Sequence, residues 1–242
     1  MDFQRNMWAE AWVQSVAARN FVALVVFGAL AIEGLGGLET GGSFLSTLLW
    51  SYLAYAVHAQ ILLPPDNNAA TNALRVIGFA LRTFGIVLLI TLAVFLSTII
   101  FASVIGTEQS RVVLVFGLVA FVVLGLPVFV WLGTILPAYV AGRERGIGAA
   151  VRRGRAQFSW IAVRLLIGPG ALLILSLALL SLLLFPVDYN GEFLSEDGDF
   201  QPMAVFALFL GFTVQAFATS LTAVILSRAF LRAEGMSETA AA

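Results

Sequence analysis

The sequence predicts an all-α fold, a polytopic integral membrane bundle of about six transmembrane helices with short amphipathic helices at the membrane interface. Composition is the first reason: 60% of the 242 residues are hydrophobic and 11% are charged, whereas a soluble domain is about 25% charged. The second is the length of the apolar stretches, since each is close to or above the roughly 20 residues that a helix needs to cross a bilayer. The third is the sorting of arginines to one side of these stretches.

The predicted spans account for most of the chain, so we expect one transmembrane domain over residues 1–242 and no separate soluble domain. The spans cover residues about 20–38, 44–63, 75–105, 112–140, 161–185 and 203–227. Pro127 and Pro137 predict kinks in the fourth span, and Gly168-Pro169-Gly170 is expected to interrupt the first turns of the fifth. Residues 233–242 predict a polar tail.

Residues 1–19 mix polar and aromatic side chains and predict a short helix that lies in the membrane interface. Its apolar side would be formed by Phe3, Met7, Trp8, Trp12 and Val16. The stretch Ala29-Leu30-Ala31 resembles a signal-peptide cleavage site, so removal of a leader is the alternative. Because that leader would be long and would carry two acidic residues, we keep this segment as the first span.

Orientation follows from the basic residues, all thirteen of which are arginine. Bacterial membranes retain Lys and Arg on the cytoplasmic side. With both termini inside, twelve arginines lie on the cytoplasmic side, and Arg111 alone lies outside. The twelve are Arg5, Arg19, Arg75, Arg82, Arg143, Arg145, Arg152, Arg153, Arg155, Arg164, Arg228 and Arg232. The outer loop 186–202 carries five acidic residues and no basic one. The sequence therefore predicts a multi-pass protein of the bacterial inner membrane.

Several kinds of chemistry are excluded by the residues that are missing. The chain has no Cys and a single His, which excludes disulfides, thiolate metal sites and a His-rich metal centre. It also has no Lys, which excludes Schiff-base chemistry and a phosphate-binding P-loop. No Ser-His-acid set stands in a suitable place. We therefore predict no catalytic site, no metal site and no cofactor.

The basic segment 143–158 is the most specific local signal. On a helix its apolar stripe would consist of Ile147, Ala150, Val151, Gly154 and Phe158. The arginines on the other sides, which we take as candidates for binding anionic lipid headgroups, are Arg145, Arg152, Arg153 and Arg155. This pattern predicts a helix on the cytoplasmic face with its apolar side in the acyl boundary. The alternative is that these arginines only enforce topology. A nucleic-acid partner is not expected, because the segment is short and lacks a base-stacking platform.

The same region resembles a known family. The run from Pro137 to Val140, then Gly146, Ala149-Ala150, Arg152 and an aromatic pair at Phe158 and Trp160, is similar to the YciC-type group of bacterial six-helix membrane proteins. It is also similar to the membrane domain attached to some glycerophosphodiester phosphodiesterases. The resemblance mainly covers residues 134–164. It implies an inner-membrane protein without a known reaction, concerned with envelope maintenance. It transfers no catalytic residue.

Two spans carry polar stripes at helical spacing. In the second span the stripe is Thr47, Ser51, Tyr55 and His58, and in the sixth it is Gly211, Gln215, Thr219 and Thr222. Small and hydroxyl-bearing residues permit close helix packing and interhelical hydrogen bonds, worth about 0.6 kcal/mol each. Packing is therefore the first interpretation. A polar path or a pigment site between the two helices is the alternative.

Three further ionisable residues lie within predicted spans. Arg82 and Arg164 stand one or two turns inside, close enough to an edge for each side chain to snorkel towards water. Glu33 falls in the outer third of the first span, where a protonatable carboxylate could couple to proton movement. The adjacent glycine-rich turn instead predicts that Glu33 reaches water.

We expect a non-enzymatic integral membrane protein that acts as a scaffold, assembly factor or accessory subunit. Its partners would be anionic lipids on the cytoplasmic side and either another membrane protein or a second copy of the chain. The alternatives are a small transporter and a lipid-handling envelope protein. A continuous polar cavity reaching the midplane would favour transport, and a lateral groove beside the basic helix would favour lipid handling.

Overall fold

The computed structural model describes residues 6–34, 42–64, 73–105, 110–185, 193 and 200–235. Within these ranges the chain is helical throughout and contains no β-strand, so the all-α prediction is confirmed. The helices are α1 (Met7–Ala17), α2 (Arg19–Gly34), α3 (Gly42–Leu62), α4 (Ala73–Ile105), α5 (Ser110–Ala120), α6 (Leu126–Gly133), α7 (Ile135–Val140), α8 (Ile147–Ala156), α9 (Phe158–Leu165), α10 (Ala171–Leu184) and α11 (Pro202–Ala233).

Four helical stretches in the described ranges are long and apolar enough to cross a membrane: residues 73–104, 115–140, 158–184 and 202–233. A fifth results if α1 and α2, which meet at an angle of 81°, are counted as one span. Helix α3 has 21 residues but is not among these helices, because hydroxyl, imidazole and amide side chains lower its hydropathy. The structure thus has several helices that can cross a membrane, fewer than the six spans predicted.

The outer surface of the bundle is strongly apolar. On α4, Ile100 and Val104 are 64% and 79% exposed, and on α10 Leu182 is 74% exposed. Soluble proteins rarely expose contiguous apolar patches of this kind. The exposed leucine, valine and phenylalanine side chains continue along both helices and along α5. This distribution matches the environment of a hydrocarbon layer.

Helix α11 is the central element of the bundle. It packs against α10, α3, α2 and α1, and its buried positions include many small residues: Ala204, Ala207, Gly211, Ala216, Ala218, Ser220, Ala223, Ser227 and Ala229. Small residues allow helix backbones to approach closely where no water drives them together. A Cβ atom on Gly211 would lie only 3.0 Å from the Leu180 side chain. The packing of α10 on α11 therefore depends on that glycine.

Proline is accommodated by π-helical turns. The turn Phe121–Gly125 precedes Pro127, and the turn Leu166–Gly170 contains Pro169. A π-turn absorbs the backbone hydrogen bond that proline cannot make. As a result, residues 158–184 remain one helical stretch. The interruption expected at Gly168-Pro169-Gly170 is therefore present as a π-helical turn, and the broken helix that a transporter would require there is not seen in this stretch.

The two ends of α11 have different surroundings. Its first residues follow Gln201, whose backbone N–H donates to the backbone carbonyl of Phe193. The ring of Phe193 in turn packs over Gly34. Just beyond its last residue, Glu234 accepts from the guanidinium of Arg153. A helix of 32 residues separates these points by about 48 Å. We call the second point, where the arginines gather, the basic end.

Helix α1 lies across the bundle near the basic end. The indole rings of Trp8 and Trp12 lie 6.1 and 6.3 Å from the ring of Phe217 on α11. The Nε of Arg228 donates to both carboxylate oxygens of Glu10, at 2.9 and 3.2 Å. Helix α1 is therefore held against α11 by both the Glu10–Arg228 pair and its aromatic contacts, while Trp12 remains 65% exposed. The 81° bend to α2 is compatible with an interfacial orientation.

We predict that Glu10→Gln destabilises the protein much more than Glu144→Gln. The side chains of Arg228 and Glu10 are 14% and 9% exposed, so Glu10→Gln removes the carboxylate charge that faces a buried guanidinium, at a cost of up to about 3–5 kcal/mol. Glu144 pairs with Arg152 on the surface, where the side chains are 68% and 72% exposed. That loss should cost less than about 1 kcal/mol.

Thermal unfolding in detergent measures both variants. The double variant Glu10→Leu with Arg228→Met should recover most of the loss, because it leaves no buried charge. Equal midpoints for Glu10→Gln and Glu144→Gln would show that α1 is not held by this pair.

Candidate functional site

The basic helix α8 is docked on α6 by small residues. Ala149, Ala150 and Gly154 are buried in this contact. A Cβ atom on Gly154 would lie 2.5 Å from the carbonyl oxygen of Val130 and 2.6 Å from Cα of Trp131. The hydroxyl of Thr134 donates to the carbonyl of Ala150 at 3.3 Å. The orientation of α8, and thus of its arginines, is fixed by backbone contact.

This docking corrects the expected environment of the apolar stripe. Ala150 and Gly154 were expected to face acyl chains, yet they face α6. Ile147, from the same stripe, is 68% exposed. Periodicity shows that a helix has an apolar side, but it does not distinguish a lipid neighbour from a protein neighbour.

Arg153 differs from the other three arginines proposed for headgroups. It is 4% exposed, and its guanidinium donates to Glu234 Oε1 at 3.0 Å and to the carbonyl of Glu144 at 3.0 Å. Its Cζ also lies 5.4 Å from the ring centre of Phe230. Arg153 therefore joins α8 to the end of α11 and does not face outward as a headgroup ligand would.

Arg145, Arg152 and Arg155 are exposed. The guanidinium of Arg145 lies 4.9 Å from the ring centre of Tyr139, and that of Arg155 lies 5.7 Å from the ring of Trp131. Stacking on an aromatic face holds a guanidinium in place without neutralising it. Arg152 instead pairs with the exposed Glu144 at 3.4 Å. We call these three side chains at the basic end the arginine surface.

Arg82 and Arg164 both fold back along their own helices. Arg82 donates to the carbonyl of Gly78 at 2.6 Å, and Arg164 donates to the carbonyl of Trp160 at 3.4 Å. Each guanidinium also stacks on a ring, Tyr139 at 4.1 Å for Arg82 and Trp160 at 4.2 Å for Arg164. Helical side chains lean towards the helix N-terminus. Here that direction takes both charges towards the basic end.

Residues of both polar stripes line one cavity, whereas Gly211 packs against Leu180 on α10. The cavity has a volume of about 270 Å³ and lies between α3, α4, α6, α7 and α11. Its polar lining residues are Thr47, Ser51, His58, Thr83, Gln215, Thr219 and Thr222, and its aromatic lining residues are Trp50 and Phe129. The lining found in the described part of the chain includes no charged residue. This cavity suits an uncharged molecule that forms hydrogen bonds.

His58 is fixed at one wall of this cavity. The side chain is 1% exposed, and its Nδ1 lies 2.7 Å from the hydroxyl of Ser227 on α11. Its ring centre is 5.6 Å from that of Phe79. Tyr55 belongs to the same predicted stripe but is fully buried, with its ring in edge contact with Phe79 at 5.5 Å, and it does not line the cavity. The stripe is thus divided between the cavity and the core.

Glu33 lies away from both features. It is half-buried in the last turn of α2, next to Gly34 and the contact with Phe193, at the end opposite to the arginines. The structure does not place it on the cavity lining. Among the described residues there is also no cluster of His, Asp and Glu that could hold a metal ion.

A second, wider groove is lateral and almost wholly apolar. It measures about 570 Å³ and lies between α2, α3 and the start of α4, with Gly28, Leu49, Tyr52 and Ile77 among its lining residues. Helix α8 does not contribute to it. The groove therefore does not adjoin the basic helix, as a lipid-handling site of the expected kind would.

Sequence reasoning missed two functional features of this region. One is the pair Arg153–Glu234, whose partners are 81 residues apart. The other is Thr83, which brings α4 into the cavity lining. A hydroxyl one position after Arg82 carried a weak signal, because polar residues within an apolar span tend to face the bundle interior.

Neither a family model, nor a curated protein, nor a solved structure matches this chain. Function must therefore be inferred from the chain's own side chains.

We predict opposite effects for alanine at two glycines of α8. Gly154→Ala should destabilise the protein by about 1–3 kcal/mol, because the added methyl group meets backbone atoms of α6 that cannot move aside cheaply. Gly148→Ala is the matched control, since a Cβ there meets nothing within 4 Å. It should be neutral or stabilise by up to about 1 kcal/mol through higher helix propensity.

The measurements are thermal unfolding and the rate of trypsin cleavage after Arg152 and Arg155. Cleavage should accelerate in Gly154→Ala alone. Equal cleavage rates in both variants would mean that α8 is not docked as described.

Proposed function

We propose that this chain is a non-enzymatic integral membrane protein, a scaffold, assembly factor or accessory subunit that binds anionic lipid through the arginine surface. The observation that carries this proposal is the docking of α8, which fixes the helix that bears the exposed Arg152 and Arg155, while Arg145 stacks on Tyr139 just before α8 begins. If the arginines of α8 only fixed the orientation of the chain in the membrane, α8 would not need this close backbone contact with α6. The resemblance of residues 134–164 to the YciC-type group remains part of the proposal.

We propose six crossings, with α3 as a true span and α2 as the membrane part of the bent pair. The low hydropathy of α3 is compatible with crossing because its polar residues face inward: Ser51, Tyr55 and His58 are at most 1% exposed. Helix α3 also packs against α2, α4, α7 and α11, so little of its surface would meet lipid. A helix shielded in this way tolerates polar groups that a lipid-facing helix does not.

The proposed orientation places the basic end in the cytoplasm of a bacterial cell, in its inner membrane. Its support is the clustering of charges. Arg82 and Arg145 share the ring of Tyr139, and Arg164 and Arg232 share the ring of Trp160. Positively charged residues are retained on the cytoplasmic side. One compact group of arginines therefore favours one orientation.

Anionic lipid is the proposed ligand of the arginine surface for reasons of charge and position. Each Arg near a membrane surface contributes about 1 kcal/mol to the binding of anionic lipid. Arg152 and Arg155 are exposed on a helix that also exposes Ile147. Charged and apolar groups side by side match the boundary between headgroups and acyl chains. The buried Arg153 is excluded from this role.

A small transporter is the second candidate, and the polar cavity favours it. His58 and Gln215, on two different helices, both line the cavity. The continuous helix through residues 158–184 speaks against it, because transporter sites are commonly built at broken helices.

We predict that the triple variant Arg145→Gln, Arg152→Gln, Arg155→Gln loses its response to anionic lipid. Phosphatidylglycerol added to the delipidated wild-type protein should raise its unfolding midpoint, and phosphatidylcholine should not. Loss of three charges should weaken phosphatidylglycerol binding on the order of a hundredfold. The effect should also fall as salt is raised.

Glu144→Gln is the control, since it removes a neighbouring charge of opposite sign and should retain the response. An identical phosphatidylglycerol response in the triple variant would refute lipid binding by the arginine surface. Purification in mild detergent tests the accessory role separately: a companion membrane protein or a second copy of the chain should co-purify, and recovery of a bare monomer would contradict it.

A further inference from the structure

A crevice of about 270 Å³ lies between α1, α9 and α11 and is distinct from the polar cavity described above. Its walls include Met7 and Trp8 of α1, Arg164 of α9 and Leu221 of α11. Ile167, which also lines the crevice, is 64% exposed, so the crevice opens on the outer, apolar surface of the bundle. Arg164 is the one charged residue in the described lining. We call this feature the Arg164 crevice.

The positive charge of Arg164 has no carboxylate partner among the described residues, because the three ion pairs found there join other side chains. Within the described part of the chain its Nη1 donates to the carbonyl of Trp160 at 3.4 Å, a long distance for a hydrogen bond. The guanidinium of Arg232 lies on the same indole ring, and the two Cζ atoms are 4.2 and 5.3 Å from the ring centre. Two positive charges thus stand close together, and an anion beside them would offset their repulsion.

The crevice changes from charged to apolar with distance from the basic end. The guanidinium of Arg164 extends back towards Trp160 and the basic end, whereas Ile167 stands about one turn further along the same helical stretch. Leu221, about three turns from the last residue of α11, belongs to the apolar part. A lipid-like anion in the leaflet on the side of the basic end has its head and its chain in the same order. The crevice therefore matches the orientation of an anionic amphiphile.

The volume and the lining limit this amphiphile to one chain and a small head. Pockets for drug-sized ligands measure about 300–1,000 Å³, so a crevice of about 270 Å³ cannot enclose both chains of a phospholipid. A phosphate group presents at least three strong acceptor oxygens, and the described lining offers a single charged donor group. A carboxylate presents two oxygens, which one guanidinium can bind together. These limits select a single-chain carboxylate.

We propose that the Arg164 crevice binds the anion of a long-chain fatty acid. The guanidinium of Arg164 pairs with the carboxylate, and Arg232 adds a second positive charge nearby. The first part of the chain lies against Ile167 and Leu221, and α1 covers it from the other side. This site goes beyond the proposed scaffold function and contains none of the three residues of the arginine surface.

The test uses the purified full-length protein in nanodiscs of phosphatidylcholine, with oleate as the probe and oleyl alcohol as its uncharged counterpart. A ligand that binds the folded state raises the unfolding midpoint in a saturable manner. Oleate should produce this rise and oleyl alcohol should not, because the alcohol brings no charge to Arg164. Arg164→Gln should bind oleate about ten- to a hundredfold more weakly, as expected for the loss of a hydrogen bond between two charged groups.

Two further variants separate the crevice from a general effect of charge. Arg82→Gln is the matched control, since Arg82 also stands within an apolar helix, donates to a carbonyl of the preceding turn and stacks on a ring, but does not line the crevice. It should bind oleate as the wild type does. Val163→Trp narrows the crevice at a position that is 50% exposed. It should weaken binding while Arg164 keeps its charge.

The triple variant of the arginine surface keeps the crevice intact and should bind oleate as tightly as the wild type. The fatty-acid site and the proposed binding of anionic lipid can therefore fail separately. The proposal is overturned if oleate gives the wild-type protein no saturable stabilisation beyond that of oleyl alcohol, or if the triple variant loses oleate binding. It is equally overturned if Arg164→Gln binds oleate as tightly as the wild type. Should Arg164→Gln fail to fold, unchanged binding by Val163→Trp overturns it instead.

Discussion

The structure depends on the fact that a guanidinium group stays charged in a protein and must be paired or kept near water. This constraint acts on every arginine near the bundle. Arg228 is paired with Glu10, and Arg153 with Glu234. Arg82 and Arg164, which stand within apolar helices, turn back to carbonyls of the preceding turn. These ion pairs and carbonyl contacts together bring the arginines to the basic end. The two ion pairs also hold α1 and α8 against the end of α11.

The central helix α11 packs closely against its neighbours over part of its length and lines the polar cavity over another part. Its small residues allow α10 and α3 to approach closely, and Gly211 is the tightest example. Gln215, Thr219 and Thr222 line the cavity instead, so close packing is interrupted along this part of α11. A bundle selected for packing alone would fill this space with apolar side chains. The neutral cavity and the arginine surface are therefore separate features, divided between the interior and one end of the protein.

The class of fold was predictable because composition and the length of apolar stretches act over many residues at once. The ends of individual helices were less predictable. The last span was expected to cover residues about 203–227, and α11 continues beyond it to Ala233, past Arg228, which is paired with Glu10, and Arg232, which rests on Trp160. The first span was expected to reach residue 38; α2 is described as far as Gly34, and residues 35–38 lie outside the described part of the chain. Helical signals in the sequence do not reveal when a distant partner will neutralise a charge.

The candidate sites show the same limit. Helical spacing correctly grouped Thr47, Ser51 and His58 on one side of α3. That Gln215 lines the same cavity was only an alternative from the sequence, because no local rule relates residues about 160 positions apart. Arg153 was grouped with Arg152 and Arg155 because all three are neighbours in sequence. Its burial depends on Glu234 and on the backbone approach at Gly154, and both are tertiary contacts.

The most direct test is to determine on which side of the membrane each end of the bundle lies. The chain has no native cysteine, so single-cysteine variants need no altered background. Gly148→Cys reports on the basic end and Phe200→Cys on the opposite end, and both positions are exposed. A membrane-impermeant maleimide should label Phe200→Cys in intact spheroplasts and Gly148→Cys only after permeabilisation. Labelling of both positions from the same side would contradict a bundle that crosses the membrane with its arginines gathered in the cytoplasm.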